Sequence, residues 1–207
     1  MPQFKIRRRP KRLAMHRAEL LNYLRHHDTH YMDEAGFTTR AQGFVEQNTE
    51  SFFRELWPAH VTGSTWVVNP DRSRVLMMHH KKLNKWFQPG GHADGDGDIL
   101  GVALRETVEE TGIDDSQVRL VSKEVFDVDI HAIPAMNGEP AHEHIDVRFL
   151  VEIDDRLPVP GNDESHEILW IYLQDVLRYN NNRSTYRMLE KTRALRNMTL
   201  RRRAGEV

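Results

Sequence analysis

Three glutamates in a five-residue window, Glu106, Glu109 and Glu110, followed closely by Gly112, are the strongest chemical signal in this 207-residue chain. At ~100° per residue, Glu106 lies beside Glu109 (i+3) and Glu110 (i+4) on one side of a helix. Leu100, Ala103, Leu104, Thr107 and Val108 form a mostly apolar stripe opposite, so the carboxylates are expected to point away from the core. Like charges at this spacing repel, and a hard divalent cation is the simplest partner for them. Asp98 is placed to cap the helix at its start, and Gly112 to close it with φ > 0. Gly90-Gly91 after Pro89 lets backbone approach a ligand closely. Together these features predict a loop, helix and loop that cradle a metal-bound diphosphate.

The elements that must hold this unit are legible on both sides of it. Apolar residues at helical spacing predict helices through residues 11–56, with one or two short ones around Ala41, Phe44, Val45, Phe52, Phe53, Leu56 and Trp57 that end at Pro58. His26, His27 and His30 are expected as exposed helix-end histidines. Strands are predicted near 64–68, 74–79, 125–131, 144–151 and 168–171, the first two joined by the turn Asn69-Pro70-Asp71-Arg72. Closing helices are expected over 173–178 and 184–200. Lys81, Lys82 and Lys85, just ahead of the glycine loop, suit either phosphate contacts or a solvated turn.

A second group of polar residues lies after the acidic helix. Asp127, Asp129 and His131 alternate with apolar residues, as do His142, His144, Asp146 and Arg148, so each set shares one face of its strand. As antiparallel neighbours the two strands would join these residues into one patch. A substrate-recognition wall is the favoured reading, with a second metal site and a water-facing sheet as the alternatives.

The stretch from Gly91 to Ile113 resembles the Nudix box: a glycine, five residues, a glutamate, seven residues, then Arg-Glu-aliphatic-x-Glu-Glu-x-Gly-aliphatic. Gly91, Arg105, Glu106, Glu109, Glu110, Gly112 and Ile113 match, and Trp86-Phe87-Gln88-Pro89-Gly90-Gly91-His92 resembles the family's approach to the box. Gly97 stands where the first glutamate belongs, with Asp96 and Asp98 one residue away, and Thr107 replaces an aliphatic residue. The resemblance implies an α/β fold, a Nudix α/β/α sandwich with a mixed sheet between the box helix and the C-terminal helices. Residues 1–58 would be an N-terminal helical extension and 59–207 the Nudix domain. It also implies that Glu109 and Glu110, helped by Glu106 and the Gly91 carbonyl, bind Mg²⁺ or Mn²⁺. Arg105 would fix the carboxylates, and the base would be Glu106 or a loop carboxylate beyond the box, Glu164 or Glu167. The implied reaction is hydrolysis of a phosphoanhydride in a nucleoside diphosphate linked to another group. Lys81, Lys85, Asp127, Asp129, His131 and His144 are the candidate substrate contacts.

Composition narrows the remaining classes. With 39% hydrophobic and 29% charged residues and no apolar run of membrane length, a cytoplasmic enzyme is expected. The absence of cysteine excludes disulfides, thiolate metal sites and thiol nucleophiles. Lys5, Arg7, Arg8, Arg9, Lys11, Arg12 and Arg17 make the start basic, and Arg201, Arg202 and Arg203 the end. No aromatic residues are interleaved, so nucleic acid is not the expected partner. Two other readings stand beside the hydrolase: a nucleotide-binding module impaired in catalysis, motivated by Gly97, and an RNA or dinucleotide cap hydrolase using the basic tails. A homodimer is compatible with all three.

Overall fold

A computed structural model describes residues 10–136 and 138–204. The expected basic tail at Lys5, Arg7, Arg8 and Arg9 lies outside the described residues, as do the side chains of Lys11, Arg12, Arg202 and Arg203. Helices α1 (Pro10–His26) and α2 (Met32–Gln47) precede strands β1 (Ala59–Val68), β2 (Arg74–His80), β3 (Lys85–Phe87) and β4 (Gly90–His92). Helix α3 (Ile99–Thr111) is followed by β5 (Arg119–Leu120), β6 (Asp127–Ile133), β7 (His142–Glu152) and β8 (Ser165–Tyr172), then α4 (Val176–Tyr179) and α5 (Arg183–Ala204). The main path of the mixed sheet runs β3-β2-β1-β7-β5, with β4 added to β1, β6 to β7 and β8 to β2.

Strands β6 and β7 pair antiparallel, as expected, with Asp129 opposite Asp146 and His131 opposite His144. The long parallel pairing of β1 with β7, from Ala59–Glu143 to Val68–Glu152, has no local signature in the sequence. It makes β1 a fully buried strand whose two faces contact different layers. Val61, Ile145, Val147 and Phe149 meet α3 and the N-terminal helices, sharing one core with Leu20, Leu24, Ala41 and Val45. Trp66 and Leu150, on the opposite face, pack with Val176, Met188 and Leu189 of α4 and α5. The N-terminal helices are therefore continuous with the main core.

Gly63, in the middle of β1, allows α3 to sit against the strand. A Cβ there would lie 2.8 Å from the Ile99 carbonyl oxygen and 3.3 Å from the Ala103 nitrogen, both backbone atoms. Gly63→Ala is expected to cost about 1–3 kcal/mol by overpacking. An unchanged urea midpoint would show that α3 moves aside freely.

Two local expectations are corrected. Residues 48–57 form turns in place of short helices, because the Ser51 carbonyl accepts from Val61 N–H and the Phe52 carbonyl from Gly95 N–H. Those bonds tie the segment to β1 and to the box loop. His27, expected to be exposed, has a 4% exposed side chain. Its Nδ1 faces the Val125 carbonyl and its Nε2 the Glu34 carboxylate.

Glu34 opens a buried ion network that joins α2, β6, β7 and α5. Lys191 donates to both Glu34 oxygens and to Asp127 Oδ2. Arg187, fully buried, donates to both Asp127 oxygens at 2.8 Å and to Asp33 at 2.9 Å. Arg148 reaches Asp127, Asp129 and Asp146. Burial alone would raise the Glu34 carboxyl, but hydrogen bonds from His27 and Lys191 reverse that and hold it at about 2. Asp127 and Asp129, expected on a substrate wall, are thus engaged in joining helices to the sheet. Charges this deep are held where opposite charges meet them with good geometry.

Candidate active site

The acidic helix has the expected caps. Asp98 Oδ1 accepts from Gly101 N–H at 2.9 Å, and Gly112 adopts φ 69°. Its rotation differs from the expectation. Ile99, Val102, Ala103, Thr107, Glu110 and Thr111 are the buried positions, so Glu110 continues the core-facing stripe and does not oppose it. Only Glu109 is exposed, with Glu106 between the two extremes. The helix is apolar where it covers β1 and acidic where the same face reaches β4.

Glycines make that approach possible. Gly90 N–H donates to Glu110 Oε2 at 2.8 Å, and a Cβ on Gly91 would run into the Glu106 carboxylate. Gly91→Ala is expected to displace Glu106, which is a flexible side-chain end, and so to reduce turnover with little loss of stability. A large fall in melting temperature would contradict that reading.

Arg105 Nη2 donates to Glu106 Oε1 at 2.7 Å, and its Nε lies 3.6 Å from Glu109. The negative charge of Asp96 also acts on Arg105, adding to those of Glu106 and Glu109 in raising it. An acidic group therefore stands near the arginine even though Gly97 carries none, while Asp98 is engaged as the helix cap. Thr107 has a physical role too. It donates to the Ala103 carbonyl and accepts from the Thr65 hydroxyl at 2.6 Å, a polar tie to β1 where an aliphatic contact was expected.

Burial raises the acid of Glu110 to about 8, with the charges of Glu106, Glu164 and Glu109 adding to the shift against the Gly90 hydrogen bond. Burial likewise raises Glu106, opposed by Arg105. Glu164 comes close because its loop is sewn to α3: Gly161 N–H donates to the Thr111 carbonyl and the Asn162 side chain to the Glu109 carbonyl. Glu167 is exposed on β8. Lys81 anchors the same loop through its N–H to the Glu164 carbonyl and its Nζ to the Asp163 carbonyl. Lys85 is exposed on β3. His131 is half-exposed beside Asp129 and directly opposite His144, so both lie on the face of the sheet away from α3, where the His144 ring turns toward His60 and His92.

The donor set of Glu106, Glu109, Glu110 and Glu164 is hard oxygen with one arginine among the carboxylates, which fits an oxygen-seeking divalent cation. The family profile described as NUDIX domain matches residues 58–192. The chain belongs to the Nudix family. Among solved structures, this Nudix chain is similar to a C. elegans Ap4A hydrolase in a binary complex, with TM-score 0.54 and 19% identity over 65% of this chain and 96% of that one. A MutT protein from Methanosarcina mazei Go1 gives TM-score 0.52 and 19% identity, covering 66% and 94%. The E. coli dihydroneopterin triphosphate pyrophosphohydrolase gives TM-score 0.50 and 15% identity, covering 63% and 92%. At these identities the likeness is one of fold. No curated protein matches the sequence. By family the chain is a Nudix-type hydrolase, and among its described residues no helix is long and apolar enough to cross a membrane.

The box, its caps and its arginine were legible from spacing. The burial of Glu110 was missed, because helical periodicity alone cannot tell which side of an acidic turn meets a glycine strand. The polar tie at Thr107 had one signal, its departure from the family pattern.

Proposed function

We propose that this Nudix protein hydrolyses a phosphoanhydride in a nucleoside diphosphate linked to another group, with Mg²⁺ or Mn²⁺ held by Glu106, Glu109, Glu110 and the Gly91 carbonyl. The observation that carries the reading is Glu110, 5% exposed and crowded by other carboxylates against the Gly90 N–H. Such an arrangement is costly unless a cation relieves it. When bound, the ion supplies charge neutralisation at the diphosphate and a more acidic water. Arg105 is the positioning residue that fixes Glu106. Glu106 or Glu164 takes the water's proton. The influence of Glu164 on Glu110 supports it over Glu167, which has no comparable tie to the acidic helix. Lys81 and Lys85 flank the glycine loop as phosphate contacts, whereas His131 lies beside His144 on the sheet face away from α3.

The relatives named for Ap4A and for dihydroneopterin triphosphate direct the choice of test compounds. Incubation of the purified protein with Mg²⁺ or Mn²⁺ and a panel of dinucleotides, nucleotide sugars, nucleoside triphosphates and capped RNA is expected to give metal-dependent turnover of one diphosphate class. Gly97 motivates the second reading, a module that binds nucleotide without cleaving it. Nucleotide binding in the presence of metal, with no product from any compound, would favour that module and sink the hydrolase.

A further inference from the structure

On the face of the sheet opposite α3, three histidines from three strands converge. His60 of β1, His92 of β4 and His144 of β7 each bring a ring nitrogen into a group whose members all lie within 4.8 Å of one another. Their ring centroids form a nearly even triangle of 4.9, 5.2 and 4.9 Å. The pairings that build the sheet impose this: His60 is opposite His144 in the parallel β1–β7 pair, and Thr62 is opposite His92 across β1 and β4. Gly91 gives way to the Glu106 carboxylate on one face, and the next residue sends its ring to the other.

His60 is only 2% exposed, and neither of its ring nitrogens has a hydrogen-bond partner of good geometry among the described residues. The Leu56 backbone lies close enough to bias its proton, without completing such a bond. Buried polar groups left in that state are rare and costly, and a missing ion is one of their few explanations. The neighbouring side chains do not fill the role. Asp146 is occupied by Thr62, Ser64 and Arg148, so the carboxylate nearest in register is turned toward the ion network.

We propose that His60, His92 and His144 form a second metal site, for a borderline transition-metal cation such as Zn²⁺, distinct from the oxygen-rich site on α3. Three neutral imidazoles with a fourth position left for water or an anion are a ligand set that zinc accepts at about 2.0–2.1 Å per nitrogen. Mg²⁺ and Mn²⁺ prefer the carboxylates. An outer layer is present as well. His142 Nδ1 must donate to the Pro140 carbonyl at 2.9 Å, so its Nε2 accepts from His144 Nε2–H at 3.2 Å, and a neutral His144 keeps its lone pair on Nδ1. Trp57 packs edge-on against His60 and His142. The site lies beside the glycine strand of the box, where a cation would add positive charge near an anionic substrate.

The test uses the full chain, stripped with a chelator and titrated with Zn²⁺ by calorimetry and with Co²⁺ by visible absorption, in excess Mg²⁺ to fill the carboxylate site. One equivalent should bind, with intense low-symmetry Co²⁺ bands and hyperfine-shifted imidazole N–H signals in the proton NMR spectrum. Glu110→Gln should retain this binding, whereas His92→Gln and His144→Gln should weaken it by at least about a hundredfold. His92 and His144 are only partly buried, and circular dichroism checks that both variants fold. Wild-type protein that binds no Zn²⁺ beyond the Mg²⁺-competed site, or that shows no shifted imidazole signals, would overturn the proposal even if both histidine variants failed to fold. Loss of the Zn²⁺ equivalent in Glu110→Gln but not in the histidine variants would do so too. The proposed hydrolase chemistry is untouched by either result, since its readout is turnover with Mg²⁺.

Discussion

Replacing Glu110 by glutamine is expected to lower turnover at least about a hundredfold, by analogy with removal of a single electrostatic stabiliser in other sites, and to make the metal-free protein more heat-stable at pH 8. The two effects have one cause. The Glu110 acid is raised from its ordinary 4.5 to about 8 by burial and by neighbouring carboxylates. A carboxyl raised on folding binds its proton more tightly in the folded than in the unfolded state, so its contribution falls as pH rises from about 4.5 to about 8. Glutamine lacks the charge and can still accept from Gly90 N–H, so the variant escapes this loss. Its advantage should be greatest at pH 8, on the order of a few kcal/mol by linkage, and should vanish near pH 4.5. Mg²⁺ should reverse the order, since a ligand that binds only the folded wild type stabilises it by mass action. Thermal melts at pH 5 and pH 8, with and without Mg²⁺, measure all four terms. A metal-free wild type more stable than the variant at pH 8 would remove Glu110 from the proposed cation site.

Arg187→Met is expected to destabilise the protein by about 3–5 kcal/mol, the usual cost of removing one partner from a buried ion pair. Arg187 is fully buried and is shared by Asp127, Asp33 and the Val128 carbonyl, so its loss leaves carboxylates in the interior with fewer cations. The effect should exceed that of any exposed pair such as Arg193–Glu190. Combining Arg187→Met with Asp127→Leu should recover part of the loss, because the unpaired charge is then removed as well. Urea unfolding of the two single variants and the double variant closes the cycle, and strictly additive losses would mean that Arg187 and Asp127 are not coupled. Acid adds a second check. Glu34 is held at about 2 by His27 and Lys191 against its burial, so its contribution is present above the ordinary 4.5 and is lost as pH falls toward 2.

Sequence alone determined the parts of this protein that are built from near neighbours. Asp98 caps a helix because its side chain reaches the N–H three residues on, and Gly112 ends it because φ 69° suits a residue without Cβ. The alternation in β6 and β7, and even their pairing, follows from patterns within a short stretch. The acidic turn was recognisable for the same reason, its spacing being set by one helical repeat.

Tertiary structure decided what those residues face. Whether Glu110 meets water or a glycine strand depends on the rotation of α3 over β1, which Gly63 and the Thr65–Thr107 contact control from another element. Asp127 looked like a free carboxylate on a strand face and became the centre of an ion network only because α5 returns to that face with Arg187 and Lys191. His60, His92 and His144 are brought together by one parallel and one antiparallel pairing to β1. Strand partners far apart in the chain are chosen by the summed burial of whole faces, a quantity that no local stretch of sequence contains.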